Sequence, residues 1–248
     1  MNSNTKYSEI YTIVLAAKNR SDDLNHDNPW NLREVNGDPL LYSAIKSKVV
    51  NPENLVVGIL NSEDLEYKTS DKLLEYLPNA QFVRVSDGLP GALITSLLCL
   101  ENIPADFPIV ITTGDSTQNF PMGEVVKSFL ESNCDAGAVC FKSQNSRFSY
   151  LRVNVDGEVT QVAEKLVIGD LATTGTYFFR NTAVFMDAAK WCLVNNIRTD
   201  GKFFVSASLN FMINCGMKIS YFEIEPSSYT PTATEKDLEL MKEKLGEV

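Results

Sequence analysis

Pro108-Ile109-Val110-Ile111-Thr112-Thr113-Gly114-Asp115-Ser116-Thr117-Gln118-Asn119-Phe120 is the stretch on which the reading of this 248-residue chain turns. An apolar run over Ile109–Ile111 stops abruptly at Gly114-Asp115-Ser116. The pattern predicts a buried strand that delivers one carboxylate to its C-terminal edge. In open α/β sheets ligands bind beyond the carboxyl ends of the strands. A carboxylate in that place suits a hard divalent cation such as Mg²⁺ held against a phosphate. Gly-Asp also opens ordinary polar turns, so the stretch acquires meaning only from its surroundings.

Upstream, the residues alternate between short apolar runs and amphipathic segments. Strands are predicted over 11–17 (Tyr-Thr-Ile-Val-Leu-Ala-Ala), a continuous apolar run as a buried parallel strand requires, over 54–60, a second buried strand, and over 81–85. Helices are predicted between them. One starts at Pro39 and runs to about Val49 with Leu40, Leu41, Ala44, Ile45 and Val49 on one face; another spans 70–77, and a third 92–100. This β-α-β-α-β-α-β order specifies a parallel sheet covered by helices on both faces. Past residue 120 the rhythm changes. A helix over 122–132 and a strand over 135–142 precede a hairpin, 150–155 and 159–163, turning at Asp156-Gly157. A strand over 174–179, helices over 185–195 and 204–215, a strand over 217–224 and a helix over 234–245 complete the chain. No repeat or linker divides it. The fold class is α/β, a single three-layer domain, residues 1–248, with a mixed, mostly parallel central sheet.

Composition limits the function classes. A net charge of -10 argues against a sequence-independent grip on nucleic acid or an anionic membrane. No apolar run approaches the ~18 residues of a membrane span, and the first residues lack the apolar stretch of a signal peptide. Cys99, Cys134, Cys140, Cys192 and Cys215 are scattered without a C-x-x-C pair, as packed thiols in a reducing compartment would be. The single histidine, His26, excludes a multi-histidine metal site within one chain. A cytoplasmic location follows as the expectation.

Several segments in order resemble the nucleotidyltransferases that activate sugar phosphates or related phosphorylated alcohols with a nucleoside triphosphate, especially those of surface-polysaccharide biosynthesis. The resemblance covers about residues 11–245. Leu15-Ala16-Ala17 is similar to the end of the family's first strand, and Asn28–Leu41 to its P-K-P-L and N-G-x-P segments. Gly91-Ala92 resembles the pair that opens the helix flanking the base, and Gly114-Asp115 the metal-holding aspartate. Glu164-Lys165 and Ala172–Phe179, with Thr174 and Gly175, resemble the E-K and G-x-Y-x-F segments that grip the second substrate. Asn196-Ile197-Arg198, Gly201–Val205 and Asn210 resemble the helix-loop-helix that follows. The resemblance implies a Rossmann-like fold close to that of the GT-A glycosyltransferases. A nucleotide-binding half would span about 9–120 and an acceptor-binding half about 121–245.

Nucleotidyl transfer needs phosphate-facing cations and backbone N–H groups, and a metal to spread the charge. The resemblance assigns catalysis to Lys18, Arg20 and Asp115. Nucleotide binding falls to Leu15, Ala16, Ala17, Trp30, Gly91, Ala92 and Gly114, and acceptor binding to Glu164, Lys165, Thr174 and Gly175. Mg²⁺ would sit on Asp115 with Glu223 or Glu225 as a second ligand. Three departures stand out. Ala17-Lys18-Asn19-Arg20-Ser21 has no glycine where the family's phosphate loop is glycine-rich, and Trp30 replaces the P-K-P lysine. Tryptophan can stack on a base or sugar but cannot offset developing negative charge. At the C-terminal end, Tyr229–Leu238 keeps only the T-x-x-D-L portion of a W-x-x-G-T-P-x-D-L segment.

Three readings follow. The chain transfers a nucleotidyl group from an NTP of undetermined base to a phosphorylated sugar or polyol, with release of pyrophosphate. Alternatively it is a catalytically silent relative that binds nucleotide or nucleotide-sugar and regulates or scaffolds. The third is a GT-A glycosyltransferase, for which Gly114-Asp115-Ser116-Thr117 offers one carboxylate where D-x-D would offer two. No nucleic-acid partner and no membrane insertion are expected, and a homo-oligomer is left open.

Overall fold

The computed structural model describes residues 8–18 and 28–245. Strand β1 (Tyr11–Leu15) lies at the centre of a sheet, flanked in parallel by β4 (Leu55–Leu60) and β6 (Ile109–Thr113), with β5 (Gln81–Val85) outside β4. Beyond β6 the direction reverses. β11 (Leu171–Phe179) runs antiparallel to β6 and to β8 (Ala136–Lys142), and β12 (Ile219–Glu223) closes that edge parallel to β8. The hairpin β9 (Ser149–Val153) and β10 (Val159–Glu164) adds to the first residues of β11, giving nine strands in one mixed sheet.

Alternation along these strands divides the core. Ile13, Ile109, Ile111, Tyr177 and Phe179 face helices α4 (Ala92–Leu98), α6 (Thr182–Val194) and α7 (Val205–Asn214). On the opposite face Val14 and Val57 meet α1 (Leu40–Ile45), while Val110 and Phe178 meet α5 (Met122–Glu131). Successive strand residues point to opposite faces, so helices on both sides are what runs apolar at every position demand. Cys99, Cys134, Cys140 and Cys192 are buried, and Cys215 is exposed; all five are free thiols. Among the described residues no helix is long and apolar enough to cross a membrane.

Three local features depart from the sequence expectation. The first helix is shorter than 39–49, because past Ile45 the backbone tightens, with Lys48 N donating to Ile45 O at 2.7 Å. A helix not anticipated, α2 (Asn61–Tyr67), precedes α3 (Thr69–Leu74). It carries no apolar stripe, with Leu65 exposed; Glu63 and Asp64 in its first turn favour it through the helix dipole. Asp64 also accepts from Ser70 N at 2.7 Å and pairs with Arg84. Finally, the chain leaving β6 forms β7 (Ser116–Gln118), which pairs with β13 (Tyr229–Pro231) just before the last helix, α8 (Glu235–Leu245). The short hairpin β2 (Glu34–Val35) and β3 (Asp38–Pro39) completes the strands.

β11 is bent where it passes the end of β6. Its register with β8 shifts between Thr173 and Tyr177, and Gly175 within that shift has φ +79°. A Cβ there would stand 3.1 Å from Thr113 Cγ2, so glycine permits both the left-handed backbone and the close approach.

Candidate active site

A cleft of about 780 Å³ opens at the carboxyl ends of β1 and β6 and continues to the ends of β10 and the bend of β11. Asp115 sits on its floor, directly after β6. Gly114 makes that position possible: a Cβ there would lie 2.6 Å from Leu41 Cδ1 and 3.2 Å from Ala16 Cβ. Gly114 N donates to Leu15 O at 3.1 Å, and Thr232 N donates to Asp115 O at 2.7 Å, so both sides of the turn are pinned. Lys18 Nζ approaches Asp115 Oδ2 at 3.5 Å in an exposed pair. Such a pair adds little stability, but it places a cation beside the carboxylate.

Beneath the same turn lies a residue that the sequence reading passed over. Lys48 is fully buried, and its Nζ donates to Thr113 O at 2.8 Å and to Ser116 Oγ at 2.9 Å. Burial pulls its pKa from 10.5 down to about 7, against the opposing pull of the Asp115 carboxylate. A signal was present: Leu41, Ala44, Ile45 and Lys48 stand at i, i+3, i+4 and i+7, which puts the lysine on the apolar face.

At the β4 end, Gly91 and Ala92 start α4. Gly91 has φ +114°, and a Cβ would fall 2.3 Å from Phe203 O. Phe203 N donates to Pro90 O at 2.7 Å and Leu93 N to Phe203 O at 3.2 Å, so the loop before α4 is zipped to the segment before α7. Leu60, Val85 and Leu89 give this end an apolar lining, with Thr95 beside them.

At the far end Glu164 closes β10. Its Oε2 accepts from Ser206 Oγ at 2.8 Å and from Ser149 Oγ. Lys165 Nζ bonds Asp200 Oδ2 at 2.7 Å and lies 5.5 Å from the Phe204 ring centroid. Asp200 and Gly201, both at positive φ, form the tight turn closed by the Thr199–Lys202 bridge. Thr174 and Gly175 also line this end. Thr174 Oγ1 is buried there with no hydrogen-bond partner among the described residues. Arg147, not anticipated, lines the cleft and grips Asp237 of α8 through two bonds, 3.0 and 2.8 Å. Burial would raise the Asp237 carboxyl, but the Arg147 guanidinium holds it below its ordinary range.

Leu15, Ala16, Ala17, Lys18, Gly91, Ala92, Gly114, Asp115, Glu164, Lys165, Thr174 and Gly175 thus line one cleft. Of the remaining expected site residues, Trp30, Glu223 and Glu225 do not join them. Trp30 is buried against Val35, Leu40, Leu238 and Met241, and its Nε1 donates to Thr232 O at 3.1 Å. Arg33 stacks on its ring at 4.3 Å and bonds Glu235. An indole has more to gain from this apolar cluster than from water, so the Trp30–Arg33 pair anchors α8 instead of facing a nucleotide. Glu223 sits on edge strand β12, paired with Lys142 at 3.7 Å, and Glu225 is exposed after it; neither lines the cleft. β12 is separated from β6 by β8 and β11, which removes both glutamates from Asp115. Arg20, like His26, lies outside the described residues.

The donor set bears on a metal. Among the described residues no group of three or more His, Cys, Asp or Glu could hold one. Mg²⁺ commonly takes only one or two carboxylates and completes its shell with water and substrate phosphates. Asp115 therefore fits a cation that arrives with its phosphate ligands.

Comparison with solved structures places the fold. The nucleoside-diphosphate-sugar pyrophosphorylase of Vibrio cholerae RC9 superposes with a TM-score of 0.80 at 17% identity, covering 94% of this chain and 99% of that one. The inositol-1-phosphate CTP transferase of T. maritima gives 0.72 at 16% identity, covering 95% and 94%. No curated protein sequence matches the chain. The profile of the Nucleotidyl transferase family matches residues 33–202, from the Arg33 anchor through Asp115 and Glu164 to the turn at Asp200. With well over half its length matched, the chain belongs to the nucleotidyl transferase family of enzymes.

Proposed function

We propose that the chain transfers a nucleotidyl group from an NTP to a phosphorylated sugar or polyol, releasing pyrophosphate, and that it serves surface-polysaccharide biosynthesis in the cytoplasm. The observation that carries this reading is the single uninterrupted cleft with Asp115 and Lys18 at one end and Glu164 and Lys165 at the other. The names of similar structures, a nucleoside-diphosphate-sugar pyrophosphorylase and an inositol-1-phosphate CTP transferase, favour a phosphorylated polyhydroxy acceptor.

In this reading the base lies against the apolar end formed by Leu60, Val85 and Leu89, bounded by Gly91-Ala92. An acceptor phosphate oxygen attacks the α-phosphorus, a new P–O bond forms, and the bond from that phosphorus to the bridging oxygen of the β-phosphate breaks. Pyrophosphate carries away the electron pair. Lys18 sits beside the leaving phosphates and stabilises their charge. Glu164, fixed by Ser149 and Ser206, receives hydroxyl groups of the acceptor. Lys165, oriented by Asp200, neutralises the acceptor phosphate so that it can approach an anionic nucleotide. Mg²⁺ held by Asp115 and the nucleotide phosphates would neutralise the charge spread over the transferring group.

The binding-only reading is favoured by one observation: Trp30 and Arg33 are committed to α8, so the Pro29–Arg33 segment sends no cation toward a phosphate. Pyrophosphate release separates the two. Each NTP with a panel of sugar and polyol phosphates and Mg²⁺ should yield pyrophosphate with one combination, and Asp115→Ala should abolish it. Nucleotide binding by calorimetry without turnover across the whole panel would establish binding alone.

A further inference from the structure

Arg147 lines the cleft with a guanidinium that the proposed reaction does not use. It stands two residues before β9, and its neighbours tie it to the acceptor end. Lys165 N donates to Phe148 O at 3.1 Å, and Ser149 Oγ donates to Glu164. The guanidinium is held in one plane, because its two terminal nitrogens donate to the two Asp237 oxygens at 3.0 and 2.8 Å. Asp237 is fixed in turn. It is 6% exposed in the first turn of α8, and its N–H donates to the capping Thr234 Oγ1 at 3.2 Å. Leu238 and Met241 of the same helix pack on Trp30. An arginine carries five N–H donors, of which Asp237 takes two. The other three have no protein acceptor among the described residues, on a side chain that is 34% exposed. A phosphate monoester carries close to two negative charges at neutral pH. Lys165, already bonded to Asp200 at 2.7 Å, offsets one of them at most.

Resting on the transfer reading above, we propose that Arg147 binds the acceptor phosphate together with Lys165, and that Asp237 is the positioning residue that aims it. The helix seated on the Trp30 cluster thereby braces a phosphate-facing cation from the C-terminal side of the chain, while the Pro29–Arg33 segment sends none.

Two measurements test this: steady-state pyrophosphate release, and binding of inorganic phosphate followed by ³¹P nuclear magnetic resonance. Arg147→Met should raise the acceptor KM at least ~10-fold, the loss expected for charge-assisted hydrogen bonds, and leave the NTP KM unchanged. It should weaken inorganic phosphate by a similar factor. Arg147→Lys keeps the charge without the planar fork and should recover part of each loss. Asp237→Asn removes a negative charge, which by itself would favour an anion. Weaker phosphate binding is nevertheless expected, because the arginine loses its aim; tighter binding would overturn the role of Asp237. Arg147→Met/Asp237→Asn removes both charges and replaces the single variant if melting shows that an unpaired Asp237 unfolds the protein. If an NTP and acceptor turn over and the loss of Arg147 changes neither the acceptor KM nor phosphate binding, the Arg147 assignment is overturned and the transfer reading stands. If no combination releases pyrophosphate, yet loss of Arg147 weakens phosphate binding, the arginine keeps its phosphate and the transfer reading falls. If there is neither turnover nor weakened binding, both are overturned.

Discussion

Lys48→Met should flatten the pH dependence of stability in a defined window. Burial depresses the folded-state pKa of Lys48 to about 7 from an ordinary value of 10.5, so between those values the unfolded chain binds more protons than the native one. Stability then rises with pH across the window. A group with a folded pKa near 7 adds about 1.4 kcal/mol between pH ~6 and ~8, because each decade above that pKa is worth ~1.36 kcal/mol. For a chain of this length the increment corresponds to roughly 3–5 °C in Tm. The buried thiols act in the opposite sense. Burial raises Cys99, Cys140 and Cys192 above the ordinary 9.0, so their contribution is complete below that value and fades as pH rises through the folded values. They are common to both proteins and cancel in the difference. Urea unfolding of the two proteins at three pH values from ~6 to ~8 reads that difference directly. A wild-type-minus-variant difference that stays flat over this range would refute the reasoning, because Lys48 would then not titrate in the folded protein near neutral pH.

Gly91→Ala should lower stability by roughly 2 kcal/mol or more, from the φ of +114° and the 2.3 Å approach to Phe203 O, and should weaken nucleotide binding; unchanged melting would contradict the zipped loop. Trp30→Lys, which restores the residue of the P-K-P segment, should cost about 3–5 kcal/mol by emptying the cluster that anchors α8, and should not raise turnover. A gain in pyrophosphate release at unchanged Tm would show that the indole faces the nucleotide after all. Asp237→Asn should remove part of the acid sensitivity. The depressed Asp237 pKa contributes stability that is present above ~pH 4 and lost as pH falls through the folded value, so acid unfolding of the variant should start from lower stability and slope less.

Much of the fold was legible because the signals are local. Runs such as Leu-Val-Val-Gly-Ile-Leu over residues 55–60, without a polar side chain at any position, allow only a strand covered on both faces, and their alternation with amphipathic segments leaves few topologies. Asp115 was legible for the same reason, since a strand that ends in Gly-Asp places the carboxylate at the carboxyl edge. α2 was not legible, because its residues make their contacts, Glu63 to Asn31 and Asp64 to Arg84, with distant segments and show no stripe of their own.

By itself, then, the sequence determined the order of elements, the mixed sheet and the edge that carries the cleft residues, all of which follow from periodicity and turn chemistry. The tertiary structure decided the direction in which individual polar side chains were spent. Trp30 and Arg33 went to the anchoring of α8 and Glu223 to an exposed pair on an edge strand, while Lys48 went beneath the turn where an apolar face was expected. Periodicity specifies which face a residue occupies. Only the packed neighbours specify the charge or cavity that it meets there, because those neighbours come from segments as far apart as Trp30 and Thr232.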